Sequence, residues 1–154
     1  MHKTIKLTQG MFAKVDEEDY EELNRYKWSA NKIGNSFYAV RSIYLQSQEY
    51  KTIYMHSQLT DYAMSDHING DGLDNRRKNL RECNYSQNGL NRAVGNNTSG
   101  YKGVWASKGK FRAAIQINGK REYLGAFLTA IEAAGAYNTA AIKYGGDFAR
   151  INKL

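Results

Sequence analysis

Only one cysteine, Cys83, is present among the 154 residues of the chain. A single thiol allows neither a disulfide framework nor a thiolate zinc site within one chain. The sequence also lacks any apolar run near the roughly 18 residues that a membrane-spanning helix needs. No apolar segment of the secretory type follows Met1-His2-Lys3. These absences predict a cytoplasmic protein with no membrane partner.

Acidic residues are scarce in the last third of the chain. The formal net charge is +7, and residues 99–154, with nine Lys or Arg and three Asp or Glu, carry +6 of it. A basic module beside a balanced region suggests a polyanionic partner, of which nucleic acid is the commonest. A basic surface kept for solubility is the alternative that charge alone leaves open.

Residues 1–63 are rich in aromatic and β-branched residues, which predicts a β-rich scaffold with an acidic helical insert. Asp16 is a plausible N-cap for that insert. A short helix is expected from Met55, and His56 on it is expected to be a packing or phosphate-contact residue, not a ligand. The predicted strands cover Thr4–Leu7, Met11–Val15, Tyr26–Ala30, Ser36–Ile43 and Tyr50–Tyr54.

Residues 64–92 contain a dense polar loop that begins at Asp66-His67 and runs to Asn79. A short extended segment, Leu80–Cys83, follows it. Ser86 is then expected to cap a helix that carries Asn88 and Arg92. The order is strand, long loop, strand and helix, after which residues 93–100 (AVGNNTSG) have the composition of a linker.

Residues 101–154 predict a three-stranded antiparallel sheet packed on one helix. Asn118-Gly119 between alternating segments is a strong hairpin signal, and Thr129 with Glu132 forms a capping box. Alanines on one helix face would pack flat across the sheet, with Tyr137 at the edge of that face. The predicted elements are strands Tyr101–Ser107, Lys110–Ile117 and Lys120–Phe127 and a helix from Thr129 to about Tyr144. The whole chain is thus expected to be α+β.

The segment DHINGDGLDNRRKNL followed by SQN resembles the HNH homing endonucleases, whose core is the ββα-metal fold. It is similar to the phage-intron branch, in which asparagine replaces the final histidine. The resemblance implies that His67 is the general base, that Asp66 and Asn88 are metal ligands, and that Asn79 braces the loop. It also implies a nuclease domain over residues 1–92, in a protein that would act inside a bacterial host if phage-encoded.

These residue types suit phosphodiester hydrolysis. A histidine with a pKa near 6.5 is largely neutral at pH 7 and can accept a proton from water. A carboxylate and an amide oxygen are hard ligands that favour Mg²⁺ or Mn²⁺. An ordinary turn with capping asparagines remains an alternative for the loop, whereas an EF-hand lacks its closing glutamate.

The segment SGYKGVWASKGKFRAAIQINGKREYLGAF resembles the APETALA-type domain of plant ethylene-response factors, which lays a three-stranded sheet in the major groove of DNA. The resemblance implies double-stranded DNA as the partner. The residues expected at or near DNA in this module are Lys102, Trp105, Lys108, Lys110, Arg112, Gln116, Lys120, Arg121 and Tyr123. Half-buried packing is the alternative for Trp105 and Tyr123. In the nuclease core, Arg76, Arg77 and Arg92 are also expected to contact DNA.

The sequence therefore predicts a metal-dependent DNA endonuclease of the homing type, targeted by its C-terminal module. One catalytic centre in a monomer, the oligomeric state that we favour, would nick a single strand. The alternatives are a DNA-binding regulator with a vestigial HNH centre and, more remotely, an RNA-binding protein.

Overall fold

The structure is a computed structural model that describes residues 1–154, and its mixed α+β architecture confirms the predicted fold class. Four small antiparallel sheets and four α-helices divide into two compact units, residues 1–83 and 84–154. The functional limits expected from the sequence, a nuclease domain over 1–92 and a DNA-binding domain over 101–154, stay a prediction. None of the helices combines the length and the apolar composition needed to cross a membrane.

The first unit begins with a hairpin and a helix and continues with a three-stranded sheet in the order β3-β4-β5. The strand predicted at Tyr26 begins later, because the Tyr26 backbone N–H closes a turn on Leu23 O (3.2 Å). The elements are β1 (His2–Lys6), β2 (Phe12–Asp16), α1 (Glu17–Leu23), β3 (Ser29–Ile33), β4 (Ser36–Tyr44), β5 (Tyr50–Tyr54) and α2 (Met55–Leu59).

Alternating side chains of the first hairpin form one side of the core of this unit. Ile5, Ala13 and Val15 are at most 2% exposed, as expected for the inward face of paired strands. Trp28 fills the centre, and its indole N–H donates to Leu23 O (2.8 Å). The remaining buried members of this cluster are Leu7, Leu23, Ala30, Ala39, Met55, Leu59 and Leu80.

Asp16 occupies the N-cap position of α1 as predicted, but its side chain makes no capping hydrogen bond. Its Oδ2 atom instead accepts from the backbone N–H of Arg77 (2.7 Å). The carboxylate therefore serves a contact with a distant segment of the same unit, which ties the polar loop to the start of α1.

The polar loop lies between two short paired strands, β6 (Ser65–His67) and β7 (Leu80–Glu82). Their register places Asp66 opposite Arg81 and His67 opposite Leu80. The strand pair thus brings the two ends of the loop together at Asp66 and His67.

The second unit contains a short helix and the predicted three-stranded sheet, in the order β10-β9-β8, with a long helix after it. Both hairpin turns have a left-handed backbone: φ is 52° and 73° at Lys108-Gly109 and 49° and 78° at Asn118-Gly119, the hairpin signal noted in the sequence. Positive φ at both central residues is the mark of a type I′ turn. The elements are α3 (Tyr85–Asn91), β8 (Val104–Ser107), β9 (Lys110–Ile117), β10 (Lys120–Phe127) and α4 (Ala130–Gly145).

Two expectations for the helix ends have different outcomes. The capping box of Thr129 and Glu132 at the start of α4 is confirmed. The prediction that Ser86 caps α3 was wrong, because Asn84 with Gln87 forms the capping box there. The Ser86 hydroxyl accepts instead from the backbone N–H of Asn118 (3.1 Å).

Two details of the sheet also differ from expectation. The first strand begins at Val104 and not at Tyr101. Its uneven alternation had suggested a bulge there, but the β-bulge lies in β10, between Tyr123 and Gly125. Tyr137 lies in the core and not, as was predicted, at the edge of the packed helix face, since only 3% of it is exposed. Its ring packs against Gly103, where any Cβ atom would overlap it.

Candidate functional site

The Asp66-His67 pair ends strand β6 at the mouth of the polar loop. Only 6% of Asp66 and 5% of His67 are exposed. Burial of two adjacent polar side chains at a strand end is costly unless they are bonded. Both have partners within the first unit: Arg81 of β7 for Asp66 and Asn75 of the loop for His67.

Asn79, at the far end of the loop, bonds to the near end at several points. Its Nδ2 atom donates to Asn69 Oδ1 (3.0 Å) and to the carbonyl oxygen of Asp74 (2.7 Å). Its Oδ1 atom accepts from the Asn69 backbone N–H (3.1 Å), and its own carbonyl accepts from Ile68 N (2.9 Å). A single side chain therefore holds the loop closed behind His67.

Strand β2 fixes the middle of the loop. Lys14 N donates to Leu73 O and Asn75 N donates to Lys14 O, both at 2.8 Å, in an isolated bridge between Lys14 and Asp74. Hydrogen bonds from Arg76 hold the pKa of Asp74 below its usual range. The loop is thus joined by main-chain bonds to a strand of the hydrophobic core.

His67 lies against polar and aromatic groups. Its Nε2 atom is 3.3 Å from Asn75 Oδ1, and its ring centroid is 5.1 Å from that of His56 and 5.9 Å from that of Tyr38. Burial lowers the pKa of His67 below 6.5, although the hydrogen bond to Asn75 and nearby carboxylates oppose the shift. The imidazole is therefore neutral at pH 7 and able to accept a proton.

The carboxylate of Asp66 is paired with Arg81 across the two strands. Arg81 Nε and Nη2 both bond to Asp66 Oδ2, at 3.0 and 2.8 Å. No group of three or more His, Cys, Asp or Glu side chains that could hold a metal is present. A metal ion bound by Asp66 would therefore need most of its other ligands from groups that are not His, Cys, Asp or Glu side chains.

The structure brings Asp66, His67 and Asn79 together in the first unit. Asn88, the second predicted ligand, lies on α3 and belongs to the second unit. Sequence reasoning missed Asn75 and Tyr38 as neighbours of His67. Asn75 stood inside the DHINGDGLDNRRKNL motif without a role, while Tyr38 carried no signal at all.

Two arginines predicted to contact DNA are engaged within the first unit. Arg76 binds Asp74 through Nε (2.7 Å) and Nη2 (2.5 Å). Arg77 donates hydrogen bonds to both carboxylate oxygens of Asp19 (2.7 to 3.3 Å) and to Leu59 O (3.0 Å). The Arg76 guanidinium is therefore bonded within the loop, whereas that of Arg77 ties the loop to α1 and α2.

In the second unit, the register places most of the predicted DNA contacts on one face of the sheet. Trp105 pairs with Arg112, and Gln116 pairs with Arg121; directly opposed residues point to the same side. The guanidinium of Arg121 lies 4.5 Å from the Trp105 ring centroid. The same alternation adds Lys110 and the exposed Tyr123 to this face.

The other predicted contacts of this unit lie elsewhere. Lys108 is in the first turn, and Lys120, paired with Ile117, points to the opposite side. Arg92 is exposed at the C-cap of α3. The ammonium of Lys102 donates to the carbonyl oxygens of Gly89, Leu90 and Arg92. Its charge therefore stabilises the C-terminal end of α3.

Comparison with known proteins supports an HNH nuclease as the class of protein. No protein-family model matches the chain. The chain is 28% identical over 149 residues to a protein of Acanthamoeba polyphaga mimivirus named "Uncharacterized HNH endonuclease L560", a match that covers 95% of this chain and 77% of the relative. The name suggests a nuclease and leaves metal, substrate and DNA-binding module open.

Proposed function

We propose that this protein is a metal-dependent endonuclease that hydrolyses phosphodiester bonds in double-stranded DNA. The observation that carries the proposal is the neutral, buried His67 beside Asp66, at the mouth of a loop closed by Asn79. The similarity along almost the whole chain to a protein named HNH endonuclease supports the same activity.

His67 is the general base in this proposal. Its lowered pKa leaves the ring uncharged at neutral pH, so it can take a proton from the attacking water. Asn79 maintains the loop that presents it. The residue type, its neutral state and its rigid surroundings are the three features that this role requires.

The donor chemistry of the proposed metal site fits Mg²⁺ or Mn²⁺. Asp66 supplies a carboxylate oxygen. The assignment of Asn88 as a second ligand, with an amide oxygen, stays a prediction from the sequence resemblance. Mg²⁺ commonly uses one or two protein ligands and completes its shell with water and phosphate oxygens. When bound, such an ion supplies charge stabilisation for the departing 3′ oxygen.

The second unit is proposed to bind the DNA duplex. The sheet face with exposed Gln116 and Arg121 and half-buried Trp105 and Arg112 offers cations and an aromatic ring together. Lysines and arginines at its rim would supply salt-sensitive contacts to phosphates. Attachment to a binding module raises the effective concentration of DNA at a small nuclease centre.

One observation favours the alternative of a DNA-binding regulator with an inactive centre. Arg81 already neutralises the Asp66 carboxylate through two hydrogen bonds to Oδ2. The Arg81 guanidinium would compete with a metal ion for this oxygen atom. An assay of plasmid cutting distinguishes the two functions.

The test is conversion of supercoiled plasmid to open circle in Mg²⁺ or Mn²⁺. We expect the wild type to nick, and His67→Ala to lose at least about 100-fold in rate because a general base is removed. His2→Ala, at an exposed histidine, is the matched control and should cut like the wild type. Equal cutting by His67→Ala would refute His67 as the base, and cutting by no variant would favour the regulator.

A binding competition addresses the polymer. Duplex DNA should displace a labelled duplex from the protein at much lower concentration than structured RNA does. Stronger displacement by RNA would contradict the assignment of duplex DNA as the partner.

A further inference from the structure

Asn75 is a polar residue with no exposed surface, next to the proposed base. Its backbone N–H donates to Lys14 O (2.8 Å), and the residue before it, Asp74, forms the bridge with the same lysine. The main chain at Asn75 is thus held by strand β2. The fixed main chain restricts the positions that the Asn75 side chain can reach.

The amide of Asn75 is only half used by the protein. Its Oδ1 atom is 3.3 Å from His67 Nε2, while its Nδ2 atom is buried and has no hydrogen-bond partner. A buried amide donor without a partner destabilises the folded protein, because its hydrogen bond to water is lost and not replaced. Such a group calls for an explanation other than stability, and a role at a functional site is one.

Aromatic rings restrict the plane of the His67 imidazole. The His56 ring lies nearly perpendicular to it, at 88° and 5.1 Å, and the Tyr38 ring at 65° and 5.9 Å. Tyr38 is itself packed against the loop, because a Cβ atom at Gly72 would meet its ring at 2.7 Å. The two rings limit the plane of the imidazole, and the Asn75 side chain contacts its Nε2 atom.

We propose that Asn75 is a positioning residue that selects the tautomer of His67. Asn75 Oδ1 accepts a hydrogen bond from Nε2–H, so the proton resides on Nε2 and the lone pair on Nδ1. This inference rests on the proposed nuclease function. In the reaction, a water O–H bond breaks and its proton passes to Nδ1. The water oxygen then bonds to phosphorus, and the 3′ oxygen leaves with the electron pair of the broken P–O bond.

The first test is independent of cutting. Long-range ¹H–¹⁵N spectra of the full chain without metal, at pH 7.5, report which imidazole nitrogen of His67 carries the proton. We expect Nε2–H in the wild type and in Asn75→Asp, which keeps an acceptor oxygen. A mixture of tautomers is expected in Asn75→Leu. A wild type protonated at Nδ1, or an Asn75→Leu variant with an unchanged tautomer, would overturn the proposal.

The second test measures kcat and KM on supercoiled plasmid. Asn75→Leu should lower kcat about 10- to 100-fold, the usual effect of losing a group that orients a functional histidine, with little change in KM. Asn75→Asp should recover kcat to within a few-fold of the wild type. Asn31→Leu, at an exposed asparagine of β3, is the matched control and should leave both constants unchanged.

The outcomes separate the two proposals. Equal loss of kcat in Asn75→Asp and Asn75→Leu, in folded proteins, would place the essential role on the Asn75 N–H and refute tautomer selection. If the wild type does not cut at all, the nuclease proposal fails while the spectra still decide the role of Asn75. If Asn75→Leu does not fold, the wild-type tautomer and Asn75→Asp remain decisive.

Discussion

At the scale of single residues, two histidines from different elements share one aromatic cluster. The ring of His56 from α2 lies between those of Tyr54 (5.3 Å) and His67 (5.1 Å). Burial, helped by the neighbouring His67, lowers the pKa of His56 to about 4. The packing role expected for His56 accords with these ring contacts, and at neutral pH it faces His67 without adding charge.

The lowered pKa of His56 predicts acid sensitivity of the fold. Because the folded pKa is about 4 and the ordinary value is 6.5, the unfolded chain binds the proton more readily. The stability is therefore complete above about pH 6.5 and falls as the pH drops towards 4. At pH 5 the loss from this residue should be about 2 kcal/mol.

Urea unfolding at pH 7.5 and pH 5 measures this effect. His56→Phe keeps an aromatic ring but cannot be protonated, so its free energy of unfolding should fall less than that of the wild type. His67 has a lowered pKa too and contributes a loss of the same sign to both proteins. His2→Phe should behave like the wild type, and an equal loss in His56→Phe would contradict the prediction.

At the scale of elements, the long helix α4 packs closely on the sheet of the second unit. Ala133, Ala134 and Ala141 have no exposed surface, so short side chains let the helix approach the strands. Tyr137 projects from the same helix into the space above Gly103. Close approach at one glycine thus accommodates the largest buried side chain of the helix.

Gly103→Ala tests this approach, with Gly109→Ala as its control. Both glycines have a left-handed backbone, with φ of 74° and 73°, so alanine costs about 1 kcal/mol of strain at either. At Gly103 the added Cβ would also overlap the Tyr137 ring and lie 2.7 Å from Ala114 O, whereas nothing lies within 4 Å at Gly109.

Overpacking typically costs about 1–3 kcal/mol more. Thermal unfolding should therefore show a clearly larger decrease in stability for Gly103→Ala than for Gly109→Ala. Equal decreases would mean that the contact with Tyr137 relaxes freely and does not limit the helix position.

At the scale of the whole molecule, charge is divided unevenly along the chain. Residues 99–154 carry +6 of the net +7, and the proposed duplex-binding surface belongs to this segment. If these charges bind phosphates, DNA affinity should depend on salt mainly through the second unit.

The prediction is tested by replacing Lys108, Lys110 and Arg121, all exposed, with glutamine. The slope of log affinity against log salt should become shallower by about 0.9 for each phosphate that the variant no longer neutralises, or up to about 3 in total. Replacing three exposed lysines of the first unit, Lys6, Lys27 and Lys51, is the matched control and should change the slope much less. Equal changes would contradict a dedicated binding unit.

Local signals in the sequence were sufficient for many elements. Asn118-Gly119 and the Thr129 box were predicted because turn and cap preferences depend on a few neighbouring residues. The cap of α3 was misassigned to Ser86 because Asn84, two residues earlier, is an equally good cap. Tyr137 was predicted at the edge of the packed face because the periodicity of a helix does not reveal its contact with Gly103, which is distant in the chain.

The proposed site divides in the same way. The sequence by itself determined a strand, loop and strand around Asp66, His67 and Asn79, since those residues stand close together in one motif. Only the tertiary structure decided that Tyr38 and His56 form the wall of His67, and that the Asn75 amide turns to its Nε2 atom. The reason is physical: ring packing and amide orientation depend on contacts between segments that are far apart in the chain, and residue order alone does not encode those contacts.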